Sequence, residues 1–255
     1  MRNLADYEPF LTALRLSICE KSELIEGEVP LEQILRQPRL LVALNHATAL
    51  SWIPAIALLA PAAAKNGGGD RIPMGVVDKF FYNNPVTKPI AEYVTQSPHP
   101  LDFEALLSHF HGGERRDLVI FPEGARTFFG DLNQIQPFRS PRFVELAIRA
   151  QAPVLLAVHR GSESWNLDLP LPREWGALLM PFSKFFGRGL LEAGALNLPL
   201  LLKKMPNFRM KLRLYSPALY ESDLSANPTE RRGQLEAEAD TIRALMQDMY
   251  DELGS

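Results

Sequence analysis

Three short apolar runs recur along the chain, and each of them ends in polar residues. The runs occupy residues 39–44, 118–121 and 153–158. Their length and their content of Leu, Val and Ile predict buried strands. Asn45 and His46 follow the first run, a Pro-Glu-Gly turn follows the second, and His159 follows the third. Open α/β sheets bind ligands at the carboxyl ends of their strands, so these polar ends predict where a site lies.

Helical patterns lie between and around the apolar runs. Residues 100–110 and 141–150 repeat apolar positions at helical spacing, and residues 229–253 place Leu, Ile and Met on one face. Residues 9–36 mix apolar and charged positions and predict an amphipathic helix packed on the main body. The alternation of strands and helices predicts an α/β fold with a largely parallel sheet.

The simplest organisation is a single domain over residues 1–255. It would consist of a helical N-terminal segment (1–35), an α/β core (36–220) and a C-terminal helix (221–255). A chain of 255 residues is long enough to bury one substantial core. No internal repeat or low-complexity linker marks a boundary within it.

Charge and cysteine content narrow the classes of partner. The formal net charge of -3 gives no general attraction for nucleic acid, so nucleic acid is not expected as a partner. Cys19 is the single cysteine, which excludes an intramolecular disulfide or a thiolate metal cluster. We expect no metal site, and a reducing, cytoplasmic location. Charged residues interrupt positions 1–20, so we expect no export signal.

Two apolar segments raise the question of membrane contact. Residues 48–64 carry no charge, but Pro54 and Pro61 argue against a spanning helix and favour a buried one. Residues 177–208 interleave apolar side chains with lysines and arginines, a pattern that suits the membrane interface. A core helix whose cations reach solvent has the same pattern, and both interpretations stay open.

The polar strand ends carry the candidate chemistry. His46 is a candidate general base, because imidazole takes up a proton near neutral pH. In the second turn, Pro122 fixes the chain direction, Gly124 permits close approach of the backbone, and Arg126 offers a charged fork for phosphate or carboxylate oxygens. Such a turn can hold an anion. An ordinary strand-to-helix loop with a surface arginine has the same composition.

A family resemblance favours the functional interpretation. Asn45-His46, followed about 75 residues later by Phe121-Pro122-Glu123-Gly124-Ala125-Arg126, resembles the paired signatures of the glycerolipid acyltransferases. Gly130-Asp131, Pro137-Phe138-Arg139 and the runs 152–154 and 211–217 extend the likeness over more than half of the chain. The resemblance implies an acyltransferase-like fold, with a mixed, mostly parallel sheet flanked by helices.

The resemblance also implies a reaction and a set of roles. His46 would act as general base on a hydroxyl that attacks the thioester of acyl-CoA or acyl-carrier protein, each a co-substrate rather than a resident cofactor. Asn45, Glu123, Gly124 and Arg126 would bind the acceptor, a membrane lipid or lipid precursor. Residues 48–64 would line the channel of the acyl chain. The protein would sit peripherally on the inner face of the membrane.

The chain departs from the family pattern at two places. Ser51 stands where the family has an aspartate that supports the histidine, and a hydroxyl there contributes a hydrogen bond but no charge. Asp78 and Glu123 are the candidates for a replacement carboxylate. Residues 95–100 lack the arginine that contacts the acceptor phosphate in the family, with His99 as a partial substitute, so an acceptor without phosphate stays open.

Two hypotheses of different classes follow. The first is an O-acyltransferase that uses His46, with Ser51 in the supporting position. The second is a catalytically weakened relative that binds a lipid or a partner protein without turnover, as the loss of the aspartate at position 51 suggests. Acceptor identity, acyl length, carrier and oligomeric state lie beyond what the sequence specifies.

Overall fold

The structure is a computed structural model that describes residues 1–48, 50–113, 115–124, 129, 131–180, 190–192, 194–199 and 203–254. The strands are β1 (Ser22–Ile25), β2 (Arg39–Leu44), β3 (Ile72–Gly75), β4 (Arg116–Ile120), β5 (Val154–Arg160), β6 (Asn166–Pro170), β7 (Ala195–Pro199) and β8 (Phe208–Tyr215). The helices are α1 (Leu4–Ile18), α2 (Leu31–Ile34), α3 (Trp52–Ala63), α4 (Phe80–Asn83), α5 (Lys88–Thr95), α6 (Phe103–His111), α7 (Arg142–Arg149), α8 (Glu174–Leu179) and α9 (Pro228–Glu252).

A six-stranded sheet in the order β1-β8-β5-β2-β4-β3 forms the centre of the fold. Every neighbouring pair is parallel except β5 and β8, which run antiparallel. The predicted α/β class with a mixed, mostly parallel sheet flanked by helices is therefore confirmed. Strands β6 and β7 pair separately as a two-stranded antiparallel ribbon.

Alternate residues of the central strands face two separate hydrophobic clusters. Leu41 and Ala43 of β2 point into one cluster, which α6, α7 and α9 cover. Leu40 and Val42 point into the other cluster, which α1, α2 and α3 cover. Because side chains of a strand alternate between the faces of a sheet, a strand buried on both faces is apolar at every position. This explains the uninterrupted apolar run from Leu40 to Leu44 in β2.

The N-terminal segment differs from the predicted helix over residues 9–36. Helix α1 ends at Ile18, and β1 then joins the edge of the sheet in parallel with β8. The prediction of a helical segment over residues 1–35 is therefore wrong for the strand. Gly27 and Pro30 disfavour a continuous helix here, since glycine weakens a helix interior and proline breaks it. The C-terminal helix, by contrast, follows its predicted range closely.

The apolar stretch after His46 forms α3, which packs against α1 within the core. Among the described residues, no helix is long and apolar enough to cross a membrane. Of the stretch 177–208, for which a membrane interface and a core helix were both left open, residues 181–189, 193 and 200–202 lie outside the described part. The described remainder exposes Leu178 on α8, next to the exposed Trp175, as well as Leu191 and, on strand β7 of the ribbon, Leu198.

Candidate active site

The three polar strand ends meet at one edge of the sheet. Strand β2 lies between β4 and β5 and is parallel to both, so all three carboxyl ends point the same way. Asn45 and His46 leave β2 between the turn that begins at Phe121 and the end of β5 at His159. The ring centroids of His46 and Phe121 are 5.0 Å apart. The fold thus brings together the two signatures that lie far apart in the sequence.

Glu123 joins the two signatures directly. Its Oε1 accepts a hydrogen bond from the backbone N–H of His46 at 2.7 Å, and its Oε2 accepts one from the backbone N–H of Gln136, also at 2.7 Å. The side chain is buried, and burial raises the pKa of Glu123 to about 7 against the opposing effect of these two hydrogen bonds. Glu123 therefore holds the backbone at His46 and at Gln136 in place. Its contact with the acceptor stays a prediction.

Ser51 contacts the imidazole of His46. Its Oγ lies 3.2 Å from Nδ1 of His46, and its hydroxyl donates to the backbone carbonyl of Thr48 at 2.9 Å. Since the single hydroxyl hydrogen of Ser51 is used in that bond, Oγ acts as the acceptor and Nδ1–H of His46 as the donor. The arrangement assigns the free lone pair of the imidazole to Nε2. Ser51 thus fixes the orientation and the tautomer of the imidazole.

Ser51 is not placed to act as a nucleophile. It is fully buried, and its hydroxyl hydrogen is directed at a carbonyl oxygen rather than at the imidazole. A serine nucleophile needs to donate its proton to a base and to reach the substrate. Neither condition holds here, so Ser51 acts through His46.

The half-buried His46 is neutral at physiological pH. Burial lowers its pKa to about 4, and the nearby backbone carbonyl of Thr48 opposes this effect only in part. Among the described residues, Nε2 of His46 has no hydrogen-bond partner. His46 therefore presents an unprotonated nitrogen, which is the form that accepts a proton.

No carboxylate of the described residues reaches a ring nitrogen of His46. Asp78 accepts a hydrogen bond from Arg139 at 2.6 Å, and Glu123 meets the backbone of His46 rather than its ring. The two candidates for a replacement carboxylate therefore do not fill that role. The imidazole is supported by neutral groups, which fix its tautomer but contribute no negative charge to its protonated form.

The turn after β4 favours glycine at position 124. Gly124 has φ of 59°, and its N–H donates to the carbonyl of Phe121 at 3.0 Å. A Cβ at Gly124 would lie 3.4 Å from Cδ of Arg139, whose own N–H donates to the carbonyl of Pro122 at 2.8 Å. The positive φ favours glycine. Arg126, the predicted anion-binding residue, lies outside the described residues.

Asn45 and His159 bind each other reciprocally. The side chain of Asn45 donates to the carbonyl of His159 at 3.0 Å and accepts from its N–H at 2.7 Å. The ring of His159 returns a third hydrogen bond, from Nε2 to the carbonyl of Asn45 at 3.0 Å. Both residues are buried, and burial lowers the pKa of His159 to about 3. The amide of Asn45, predicted to bind substrate, is thus used within the protein.

Sequence reasoning assigned no role to His159. Its place at the end of the third apolar run was the one signal that pointed to it.

A buried pair between Arg71 and Asp117 was also missed. Arg71 donates from Nε to Asp117 at 2.7 Å and from Nη1 to the carbonyls of Leu35 and Gln37 at 2.9 and 2.7 Å. This pair ties β3 and β4 to the loop before β2, at the sheet edge opposite the site.

No protein-family model matches the chain, and no curated protein matches it significantly. Among the residues that the structure describes, no group of three or more His, Cys, Asp or Glu side chains is arranged to hold a metal ion. Functional interpretation therefore rests on the geometry of the site and on the sequence signatures.

Proposed function

We propose that this protein is an acyltransferase that moves a fatty acyl group from a thioester carrier to a hydroxyl of a lipid-type acceptor. The observation that carries the proposal is the environment of His46. Its Nδ1–H is held by Ser51, its backbone is held by Glu123 of the second signature, and its Nε2 is unprotonated. A glycerolipid acyltransferase-like fold, which the signatures imply, is part of the same proposal.

The proposed reaction assigns one role to His46. Its Nε2 takes the proton of the acceptor hydroxyl while the oxygen attacks the thioester carbonyl carbon. The tetrahedral intermediate then collapses with cleavage of the carbon–sulfur bond. The imidazolium returns the proton to the departing thiolate, so the products are an ester and the free thiol of the carrier. Ser51 keeps Nδ1–H in place throughout and exchanges no proton.

The turn after β4 is proposed to bind the acceptor. Gly124 permits close approach of a ligand to the backbone, and Arg126 would pair with an anionic group if the acceptor carries one. The proposed donors are acyl-CoA and acyl-carrier protein, and no resident cofactor is required for the chemistry. The proposed location is cytoplasmic and peripheral on the inner face of the membrane, where lipid acceptors are found.

The experiment is a transfer assay with purified protein. Acyl-CoA and acyl-carrier protein are each offered with a panel of hydroxyl acceptors with and without phosphate, and the ester products are identified by mass spectrometry. We expect transfer in the wild type, loss of transfer in His46→Ala, and weaker binding of anionic acceptors in Arg126→Ala. Ester formation that His46→Ala leaves unchanged would contradict the proposal.

A second candidate function is favoured by the neutral support of His46. In Ser-His-Asp triads, neutralising the aspartate costs about 10⁴-fold in turnover. A catalytically weakened relative that binds a lipid or a partner protein would show the same geometry without measurable transfer. The assay separates the two candidates, because robust turnover by the wild type excludes the second one.

A further inference from the structure

Two buried side chains hold opposite sides of the peptide group that joins Asn45 to His46. The carbonyl oxygen of this group accepts a hydrogen bond from Nε2 of His159 at 3.0 Å. Its N–H donates to Oε1 of Glu123 at 2.7 Å. The peptide unit that leads into His46 is therefore fixed on both sides, by residues from the ends of two different neighbouring strands.

The tautomer of His159 follows from its partners. The carbonyl of Asn45 has no hydrogen, so Nε2 of His159 is the donor, and Nδ1 carries the lone pair. The hydroxyl of Ser162 lies 3.5 Å from that Nδ1 and is also buried. His159 and His46 thus have opposite tautomers, with Nε2–H in His159 and Nδ1–H in His46.

The ring of His159 is itself held in place. Its backbone N–H and carbonyl are both hydrogen-bonded to the side chain of Asn45. The pairing of β2 with β5 ends at Leu44 and Ala157. The side-chain amide of Asn45 therefore links the two chain segments beyond the last paired residues. The ring itself packs near the ring of Phe208, with the two ring centroids 5.2 Å apart. His159 therefore has the rigidity that a positioning group requires.

We propose that His159 is a positioning residue for His46, which fixes the Asn45–His46 peptide and so aims the imidazole of His46 at the substrate. Its effect on turnover rests on the proposed acyl transfer, whereas its effect on the geometry of His46 does not. An apolar side chain in place of His159 would offer no donor to the carbonyl of Asn45, so the peptide would lose one of the two hydrogen bonds that hold it.

A pair of amide substitutions separates this role from simple packing. In His159→Gln, the amide nitrogen takes the place of Nε2 and can still donate to Asn45. In His159→Asn, the amide nitrogen takes the place of Nδ1 and is too short to reach that carbonyl. Both variants are polar and differ by one methylene group, so they form a matched pair. His159→Leu removes both nitrogen atoms, so it has neither the donor at the Nε2 position nor the acceptor at the Nδ1 position.

The measurement is the tautomer of His46, read from the nitrogen chemical shifts of its ring in ¹⁵N-labelled protein. We expect the Nδ1–H form in the wild type and in His159→Gln, and a mixture of tautomers in His159→Asn and His159→Leu. The buried Leu156, also on β5, gives a control for general destabilisation. Leu156→Ala is expected to lower the melting temperature and to leave the tautomer unchanged.

Turnover gives the second measurement. If the wild type transfers acyl groups, kcat should fall by up to about 100-fold in His159→Asn with little change in KM, and His159→Gln should restore it. Identical behaviour of the Gln and Asn variants, or the same tautomer change in Leu156→Ala, would overturn the positioning role. An inactive wild type would count against the proposed function alone, because the tautomer measurement still decides the role of His159.

Discussion

Glu123 accepts a hydrogen bond from the backbone N–H of His46 at 2.7 Å, and this contact turns two distant sequence signatures into one structural unit. The same carboxylate binds the backbone N–H of Gln136, so three segments depend on it. Because both oxygens act as acceptors, the residue at this position needs two acceptor atoms. A carboxylate has them and a carboxamide does not.

The substitution Glu123→Gln should destabilise the fold. The amide nitrogen would face one of the two backbone N–H groups and leave it buried without an acceptor, which costs about 1–3 kcal/mol. Chemical denaturation of both proteins measures the difference. The exposed Glu236 offers a matched control, since Glu236→Gln should change the free energy of unfolding by less than about 0.5 kcal/mol. Equal stabilities of the two variants would contradict this role of Glu123.

The buried pair of Arg71 and Asp117 should be essential for stability. Arg71→Met would leave a buried carboxylate without its partner, and such a change costs about 3–5 kcal/mol. The double variant Arg71→Met with Asp117→Leu removes both charges and should recover part of that loss. Urea denaturation measures both, with Arg36→Met on an exposed arginine as the control. If Arg71→Met were as stable as the control Arg36→Met, the prediction would be refuted.

The contribution of His46 and His159 to the free energy of unfolding should fall as the pH drops below about 6.5. Burial lowers the pKa of His46 to about 4 and that of His159 to about 3, so the unfolded chain binds more protons than the folded one between these values and the ordinary 6.5. Glu123, with its pKa raised to about 7, acts in the opposite direction and weakens the fold as the pH rises from 4.5 to 7.

The contribution of His159 to the pH dependence of stability can be measured separately. His159→Gln removes one of the two histidines and should reduce the dependence of unfolding free energy on pH, by up to about 1.4 kcal/mol per pH unit between pH 4 and 6. His111→Ala serves as the control, because that side chain is exposed at the other edge of the sheet. Denaturant midpoints from pH 4 to 8 give the slopes. An unchanged slope in His159→Gln would contradict the assignment.

A carboxylate placed beside His46 should make its imidazole a stronger proton acceptor. Ser51→Asp places a negative charge near Nδ1, which should raise the pKa of His46 from about 4 toward 6.5 and increase turnover by about 10-fold or more. NMR titration and the transfer assay measure the two effects. Ser51→Asn has a similar shape without the charge and should produce neither. If the Asn and Asp variants behaved alike, the charge would not be the missing element.

Strands β2, β4 and β5, and the edge of the sheet that carries the site, could be predicted from sequence, because apolar runs with polar ends are local features. Which strands lie next to β2 could not be predicted, because parallel pairing joins segments that are far apart in the chain. For the same reason, the hydrogen bonds between the amide of Asn45 and the backbone of His159 could not be predicted from sequence. Nor could those from two backbone N–H groups to the oxygens of Glu123. The pairing of Arg71 with Asp117 was equally hidden, as each charge alone suggests an exposed side chain.

The role of His46 as general base is tested most directly by the initial rate of thiol release from acyl-CoA or acyl-carrier protein in the presence of acceptor. Wild type, His46→Ala and His111→Ala are measured side by side at pH 8. The proposal predicts that His46→Ala loses about 10²- to 10⁴-fold in rate, while His111→Ala retains the wild-type rate. Acceptor-dependent release by His46→Ala at the wild-type rate would contradict it.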